Sequence, residues 1–155
     1  MTAELDDMDR RILRAIQDKG KLSAQDLADE TGHGSPATCW RRLKSLEETG
    51  FVRGYRAEID RRKAGYHVCA FVHLTIERQH KELIQKIEQK ILSRPEVLDC
   101  YMTTGDSDYT LRVVAKDIDD YERFIQTFLF ELQGVSHVRS SIALREVKQT
   151  NAVPV

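Results

Sequence analysis

The sequence predicts an α+β protein built from two parts, three short helices followed by a β-α-β-β-α-β domain. Apolar residues recur at helical spacing through the first 50 residues, whereas from Val68 onward strand-like segments alternate with two helical ones. The charged, glycine-containing stretch RRKAGY at 61–66 separates the two patterns, and 155 residues suffice for two small domains. The boundaries that follow are a domain at 1–53, a linker strand and hinge at 54–66, and a second domain at 67–155.

The first two helices are predicted from their caps and their apolar stripes. In LDDMDRRILRAIQ, Asp6 is placed as the N-cap, with Asp9 three positions later. The apolar residues of this helix share one side: Leu5, Met8, Ile12, Leu13 and Ile16. In LSAQDLADETG, Ser23 is the expected N-cap and Gly32 the left-handed stop.

The third helix begins at Ser35, with Pro36 at the first helical position, where a missing N–H costs nothing. Its buried stripe is Cys39, Leu43 and Leu46, and a different side presents Thr38, Arg41, Arg42 and Ser45. After Gly50, the stretch FVRGYRAEI at 51–59 alternates like a strand and predicts a wing.

The second domain begins with VCAFVHLTI, a strand whose alternate residues from Val68 to Ile76 share one face. A helix in KELIQKIEQKIL follows, then the strands VLDCYMTT and YTLRVVA separated by GDSD. A second helix in IDDYERFIQTFLFEL precedes a long final strand in VSHVRSSIALREV. This order is the split β-α-β, or ferredoxin-like, arrangement, and it leaves one sheet face free for a second copy or a ligand.

Composition argues against several classes of protein. A hydrophobic content of 41% and a charged content of 32% fit a soluble globular chain, and we expect a cytoplasmic protein because the start is acidic and no apolar run could cross a bilayer. Three cysteines form no C-x-x-C pair and five histidines are scattered, so no metal and no cofactor are expected.

Positive charge is concentrated in one segment, although the whole chain has a net charge of −1. Residues 41–63 contain eight Lys or Arg and four Asp or Glu, whereas residues 1–40 contain five and eight. A local basic surface of this kind suits phosphate groups.

Two short helices joined by a glycine-containing turn form a helix-turn-helix, a motif that binds the DNA major groove. Ser35 and Thr38 place hydroxyls at the start of the third helix. Arg41 and Arg42 have planar guanidinium groups that can bind phosphates or guanine edges. The alternative is a solvated basic face on an ordinary three-helix bundle. The wing-like strand, which adds Arg53 and Arg56, favours DNA binding.

Four segments together resemble the Lrp/AsnC family of bacterial transcription regulators: LDDMDRRIL, SPATCWRRLKSLEETGFVRGY, TTGDSDYTLRV and EVKQTN. The resemblance covers the whole chain. It implies a winged helix-turn-helix domain, a linker strand, and a ferredoxin-like domain that senses an effector, an amino acid, and forms homo-oligomers: dimers, then tetramers or octamers. Two-fold symmetry implies a pseudo-palindromic double-stranded DNA operator. The residues expected to contact DNA are Ser35, Pro36, Thr38, Arg41, Arg42, Lys44 and Ser45.

The resemblance also places the effector at the GDSDY loop, between dimers of the assembly. A carboxylate there suits the ligand's ammonium group, and Asp108 ranks first, while turn N–H groups suit its carboxylate. Walls are expected from the strand before the loop and from Ser140 onward in the last strand. The expected effector residues are Tyr101, Met102, Thr103, Thr104, Gly105, Asp106, Asp108, Ser141 and Ile142.

One feature departs from the family pattern. The turn TGHGSP is one residue longer than usual in the family. We expect the fold to tolerate the extra residue without depending on it, so that deleting Gly34 leaves folding intact.

Two other functions stay open at the level of sequence. An enzyme is disfavoured because no nucleophile elbow or phosphate loop occurs. A ligand-binding module that never binds DNA would show no steep salt dependence of binding.

Overall fold

The computed structural model describes residues 4–77 and 81–155 and divides into two compact units. The first unit comprises Met1–Glu58 together with Lys148–Val155, and the second comprises Ile59–Val147. His80, one of the five scattered histidines, lies outside the described residues.

Three helices form the first unit: α1 (Asp7–Lys19), α2 (Ala24–Thr31) and α3 (Pro36–Glu48). The predicted caps are confirmed. Asp6 and Asp9 form a reciprocal capping box, Ser23 caps α2, and Gly32 ends it with φ +66°. Burial of the apolar stripes produces one core, as the spacing predicted: Ile12, Leu13, Ile16, Leu27, Ala28, Cys39, Leu43 and Leu46.

The strand predicted at 51–59 is not a paired strand, because the described residues of its unit contain no other strand. It is held instead by one main-chain hydrogen bond and by side-chain contacts to the helices. The Val52 N–H donates to Leu46 O at 3.0 Å, and Val52 and Tyr55 pack against the helical core. The Tyr55 hydroxyl donates to Glu47 Oε1 at 3.0 Å. Burial and this bond raise the pKa of Tyr55 to about 12.

The segment Lys148–Val155 packs against α1 within the first unit. The Gln17 amide bonds both main-chain groups of Val153, donating to its O at 3.0 Å and accepting from its N–H at 2.6 Å. Arg14 Nε donates to Val155 O at 2.7 Å, and the Val155 side chain packs against the helical core.

The second unit has the predicted β-α-β-β-α-β order: β1 (Val68–Ile76), α4 (Lys81–Leu92), β2 (Val97–Met102), β3 (Tyr109–Ala115), α5 (Ile118–Phe124) and β4 (Val135–Ile142). The sheet order is β2-β3-β1-β4, and all pairs are antiparallel. Alternate residues of β1 pack under the helices, as predicted: Val68, Ala70, Val72, Leu74 and Ile76. The opposite face shows Phe71, 41% exposed, and an Asp99–Arg112 ion pair at 2.5 Å.

Two predictions about the ends of this unit were wrong in detail. The second helix is not a continuous α-helix, because a π-helical turn at Ile125–Leu129 follows α5. Phe124, at the end of α5, and Leu129, at the end of the π-helical turn, lie in the core, whereas Ile118 stays exposed. The last strand ends at Ile142 rather than continuing to 147, since beyond Ala143 it has no partner strand. No helix in the described ranges is long and apolar enough to cross a membrane.

Candidate nucleic-acid interface and ligand loop

The start of α3 offers polar groups to an anion. Ser35 Oγ accepts the Thr38 N–H at 3.2 Å and lies 3.0 Å from the Thr38 hydroxyl. Pro36 has no N–H, so the Ala37 N–H is the amide of the first turn that lacks a partner in the described parts of the chain. This arrangement has the elements of a phosphate contact: one open amide and two hydroxyls at a helix N-terminus.

The cations of α3 differ in what surrounds them. Arg41 is exposed and has no ion-pair or hydrogen-bond partner within residues 4–77 and 81–155. Lys44 donates to Glu47 at 2.7 Å and lies 5.0 Å from the centre of the Trp40 ring. The hydrogen bond from Lys44 is the main cause of the lowered pKa of Glu47. An exposed pair of this kind is weak, so Lys44 can exchange Glu47 for a phosphate.

Arg42 is bound within the protein. Its Nη1 donates to Asp6 Oδ2 at 2.7 Å and to Asp9 Oδ1 at 3.0 Å. These bonds, to Asp6 first and Asp9 second, raise the pKa of the guanidinium. The sequence suggested a DNA-facing side chain and assigned the two aspartates to capping alone. It missed their second role because no local pattern links positions 33 and 36 residues apart.

The turn between α2 and α3 is held by hydrogen bonds to its main chain. The His33 carbonyl accepts from the Thr31 hydroxyl at 3.1 Å and from Cys39 Sγ at 3.4 Å. Gly34 has φ +82°, and a Cβ there would lie 3.2 Å from Met8 Cε. Gly34 is exposed, but a side chain at this position would crowd Met8 at the edge of the first unit's core.

The GDSD loop is attached to the end of β1. Thr103 closes it, donating its N–H to Asp108 O at 2.9 Å and its hydroxyl to Ser107 O at 3.0 Å. The Asp108 N–H donates to Leu74 O at 2.8 Å, and Asp108 Oδ2 accepts the Ile76 N–H at 2.8 Å. The pairing of β1 with β4 changes register at Thr75 and Ile76, so Asp108 caps an amide at an irregularity in the sheet.

The two aspartates of the loop are therefore not equivalent. Asp108 already binds the main chain through one carboxylate oxygen. Asp106 is exposed, and its carboxylate has no partner among the residues that the structure describes. The sequence ranked Asp108 first for a ligand ammonium group, and in the fold Asp106 has the more exposed side chain of the two.

The predicted ligand residues fall into two separated groups. Tyr101 and Met102 end β2 and lie beside the loop, 63% and 67% exposed. Ser141 and Ile142 end β4, which is the opposite edge strand of the sheet. Two strands lie between these edges, so these residues of one chain do not line a single pocket. No cluster of three potential metal ligands occurs within the described ranges.

Two family models together match most of the chain. A winged helix-turn-helix DNA-binding model matches residues 5–53, and the Lrp/AsnC ligand binding domain matches residues 69–153. The first match contains α1 to α3, and the second contains the sheet and the GDSD loop.

Relatives are similar over nearly their full lengths. The Bkd operon transcriptional regulator of Pseudomonas aeruginosa is 38% identical over 153 residues, which is 99% of both chains. A leucine-responsive regulatory protein of Rhizobium meliloti is 33% identical over 98% of this chain and 97% of its own. Among solved structures, a transcriptional regulator of Neisseria meningitidis in complex with L-methionine has a TM-score of 0.92 and 32% identity, covering 97% of each chain. An AsnC family transcriptional regulator from Agrobacterium tumefaciens has a TM-score of 0.91 at 33% identity, with 97% of each chain covered.

Proposed function

The chain belongs to the Lrp/AsnC family of transcriptional regulators, and from that premise we propose which of its residues bind DNA and which bind the effector. It is a DNA-binding transcriptional regulator whose second domain binds an amino-acid effector. The proposed role is regulatory and without a catalytic step, and its proposed location is the cytoplasm, where bacterial DNA lies.

The exposed side of α3 is the proposed DNA-binding face. We define this face as the N-cap Ser35 at the start of α3, together with Thr38, Arg41, Lys44 and Ser45, which lie away from the buried stripe of Cys39, Leu43 and Leu46. The observation that supports it most is the exposed Arg41, whose charge is not neutralised within the described chain. Arg53 and Arg56, also exposed and without such partners, are proposed to contact flanking phosphates.

The salt dependence of duplex binding tests this face. A fluorescent double-stranded oligonucleotide is titrated with protein at several salt concentrations, and log K is plotted against log [salt]. Each phosphate contact contributes a slope of about −0.9. Arg41→Gln should reduce the slope by about one contact per domain, whereas the control Arg123→Gln, an exposed arginine on α5 of the second unit, should not. Binding that is absent or insensitive to salt contradicts the proposal.

The loop from Thr103 to Asp108, with Tyr101 and Met102, is the proposed effector site. Asp106 is placed to bind the ammonium group of an amino acid, because its carboxylate is exposed and unpaired within the described residues. Gly105, with φ +113° and open space around its Cα, leaves the main chain of the loop accessible to the ligand carboxylate. Asp108 is proposed to hold the loop in shape through the Ile76 N–H.

Thermal shift with each of the twenty amino acids tests the effector site. A ligand at 100 times its Kd stabilises the folded protein by about 2.7 kcal/mol. We expect at least one amino acid to raise the Tm and Asp106→Asn to abolish that shift. Asp119→Asn, an exposed carboxylate change on α5, is the matched control. A full shift in Asp106→Asn removes this carboxylate from the site.

The sheet face opposite the helices is the proposed dimer surface. Phe71 and Tyr101 are exposed there beside the Asp99–Arg112 pair. A Phe71→Glu change, which places a negative charge on this face, should shift the mass measured by light scattering to that of a monomer. An unchanged mass would place the dimer surface elsewhere.

A further inference from the structure

The two adjacent arginines of α3 differ in their position relative to the buried stripe. Successive residues of a helix are about 100° apart, and residues three or four apart share a side. Arg42 is three residues after Cys39 and four before Leu46, both buried, so it borders the core. Arg41 is three residues after Thr38 and four before Ser45, so it lies on the DNA-binding face.

All four carboxylate oxygens around Arg42 are in use. Asp6 Oδ1 accepts the Asp9 N–H at 2.8 Å, and Asp9 Oδ2 accepts the Asp6 N–H at 3.3 Å. The two remaining oxygens accept from Arg42 Nη1. The capping box that begins α1 is thus also the anchor of α3, and one guanidinium joins the two helices.

The local charge of this cluster disfavours phosphate. One guanidinium beside two carboxylates gives a net charge of −1, and a phosphate that approached Arg42 would meet both aspartates. Asp6 is half exposed and Asp9 is 18% exposed, so their charges are not far from the surface. A cation that is already neutralised releases no counterion from DNA, and counterion release is what makes binding depend on salt.

We propose that Arg42 is a positioning residue, which fixes α3 on α1 through Asp6 and Asp9, and that these two carboxylates keep its charge from DNA while Arg41 makes the phosphate or base contact. This inference rests on the proposed DNA-binding face and specifies its chemistry. The two adjacent arginines then have different roles. Arg41 binds the duplex, and Arg42 sets the orientation of the helix that presents Arg41.

A matched pair of substitutions separates these roles. Arg41→Gln and Arg42→Gln remove the same charge from adjacent positions of one helix. Titration of a fluorescent 40-bp duplex of arbitrary sequence suffices, because phosphate contacts dominate non-specific binding. Arg41→Gln should lower the salt slope by about 0.9 per bound domain. Arg42→Gln should shift the whole line to weaker binding in parallel, with the slope unchanged. A loss of slope in Arg42→Gln equal to that in Arg41→Gln overturns the proposal.

Removing the carboxylates supplies the second test. Asn is as good an N-cap as Asp, so the double variant Asp6→Asn/Asp9→Asn keeps the start of α1. With Arg42 present, this variant should steepen the slope by about 0.9 per domain, because the guanidinium is released to DNA. In an Arg42→Gln background the same double change should leave the slope as it is. If the double variant with Arg42 present has the same salt slope as the wild-type protein, the two aspartates do not prevent Arg42 from contacting phosphate, and that part of the proposal is overturned.

Thermal unfolding distinguishes failure of this inference from failure of the proposed function. Arg42→Gln should lower the Tm in the wild-type background and have no such effect in the Asp6→Asn/Asp9→Asn background. If the wild-type protein binds no duplex but the effect of Arg42→Gln on the Tm still depends on the two aspartates, the proposed DNA-binding face is wrong and the role of Arg42 in joining α3 to α1 stands. Equal Tm losses in both backgrounds refute the anchor, whatever the DNA result.

Discussion

The docking of Lys148–Val155 on α1 yields a prediction whose size follows from the structure. Gln17→Ala removes both hydrogen bonds to the main chain of Val153. A hydrogen bond contributes about 0.5–1.5 kcal/mol net, and exposed bonds belong at the low end. The expected loss of unfolding free energy in the first unit is therefore about 1 kcal/mol. In a domain of 60–100 residues this corresponds to a Tm lower by about 4–8 °C.

The single tryptophan makes this measurement specific to one unit. Trp40 lies on α3 and packs against the core of the first unit, so its fluorescence reports that unit and not the other. Thermal unfolding of the full chain, followed by tryptophan emission, gives the Tm of interest. Circular dichroism adds the second unit, which contains the sheet and should be unaffected.

Gln25→Ala is the matched control, because Gln25 is also an exposed helical glutamine, and its amide donates to Asp29 within α2 at 2.9 Å. A pair at this spacing contributes about 0.2–0.5 kcal/mol, so its Tm should change little. Equal Tm values for the two variants would mean that the Val153 main chain is not bound to Gln17 in solution.

Three other predictions concern the turn, the alkaline limit of stability, and the loop. Gly34→Ala should cost about 1–2 kcal/mol because of the positive φ, with added crowding against Met8 Cε, and tryptophan emission would show a lower Tm. The raised pKa of Tyr55 means that its stabilising effect is complete below pH 10 and is lost as pH rises toward about 12, so an alkaline titration should show a loss of first-unit stability that Tyr55→Phe lacks. Asp108→Ala should accelerate hydrogen exchange at the Ile76 amide, which it caps, whereas Asp106→Ala should not; equal rates in both variants would contradict the assigned anchor.

The helices of the first unit were predictable because their signals are local. Ser23 and Ser35 cap the helices that they precede, and Gly32 has the left-handed conformation that its position suggested. The segment at 51–59 was not predictable by the same means. Its alternation is typical of a strand, but a strand also needs a partner, and its own unit supplies none.

Other differences between the prediction and the structure arise from contacts between residues that are far apart in the sequence. Arg42 and its aspartates belong to different helices, so only the folded chain shows that they meet. Their spacing did contain a weaker signal, because Arg42 falls beside the buried stripe and Arg41 does not. The π-helical turn at Ile125–Leu129 had no signal, since the apolar spacing of that segment fits an α-helix as well.

The separation of the predicted effector residues follows from the fold class itself. In the β2-β3-β1-β4 sheet, the strands containing Tyr101 and Ser141 lie three spacings apart, about 14 Å at roughly 4.8 Å per spacing. A ligand bound at the GDSD loop therefore does not also contact Ser141 of the same chain. A site that uses residues of both edges requires a second copy, and a ligand held between copies stabilises the assembly that contains it. Effector binding and oligomerisation are then linked equilibria, in which each favours the other by the same free energy. The loop and the assembly therefore need to be measured together, with the effector response followed as a function of protein concentration.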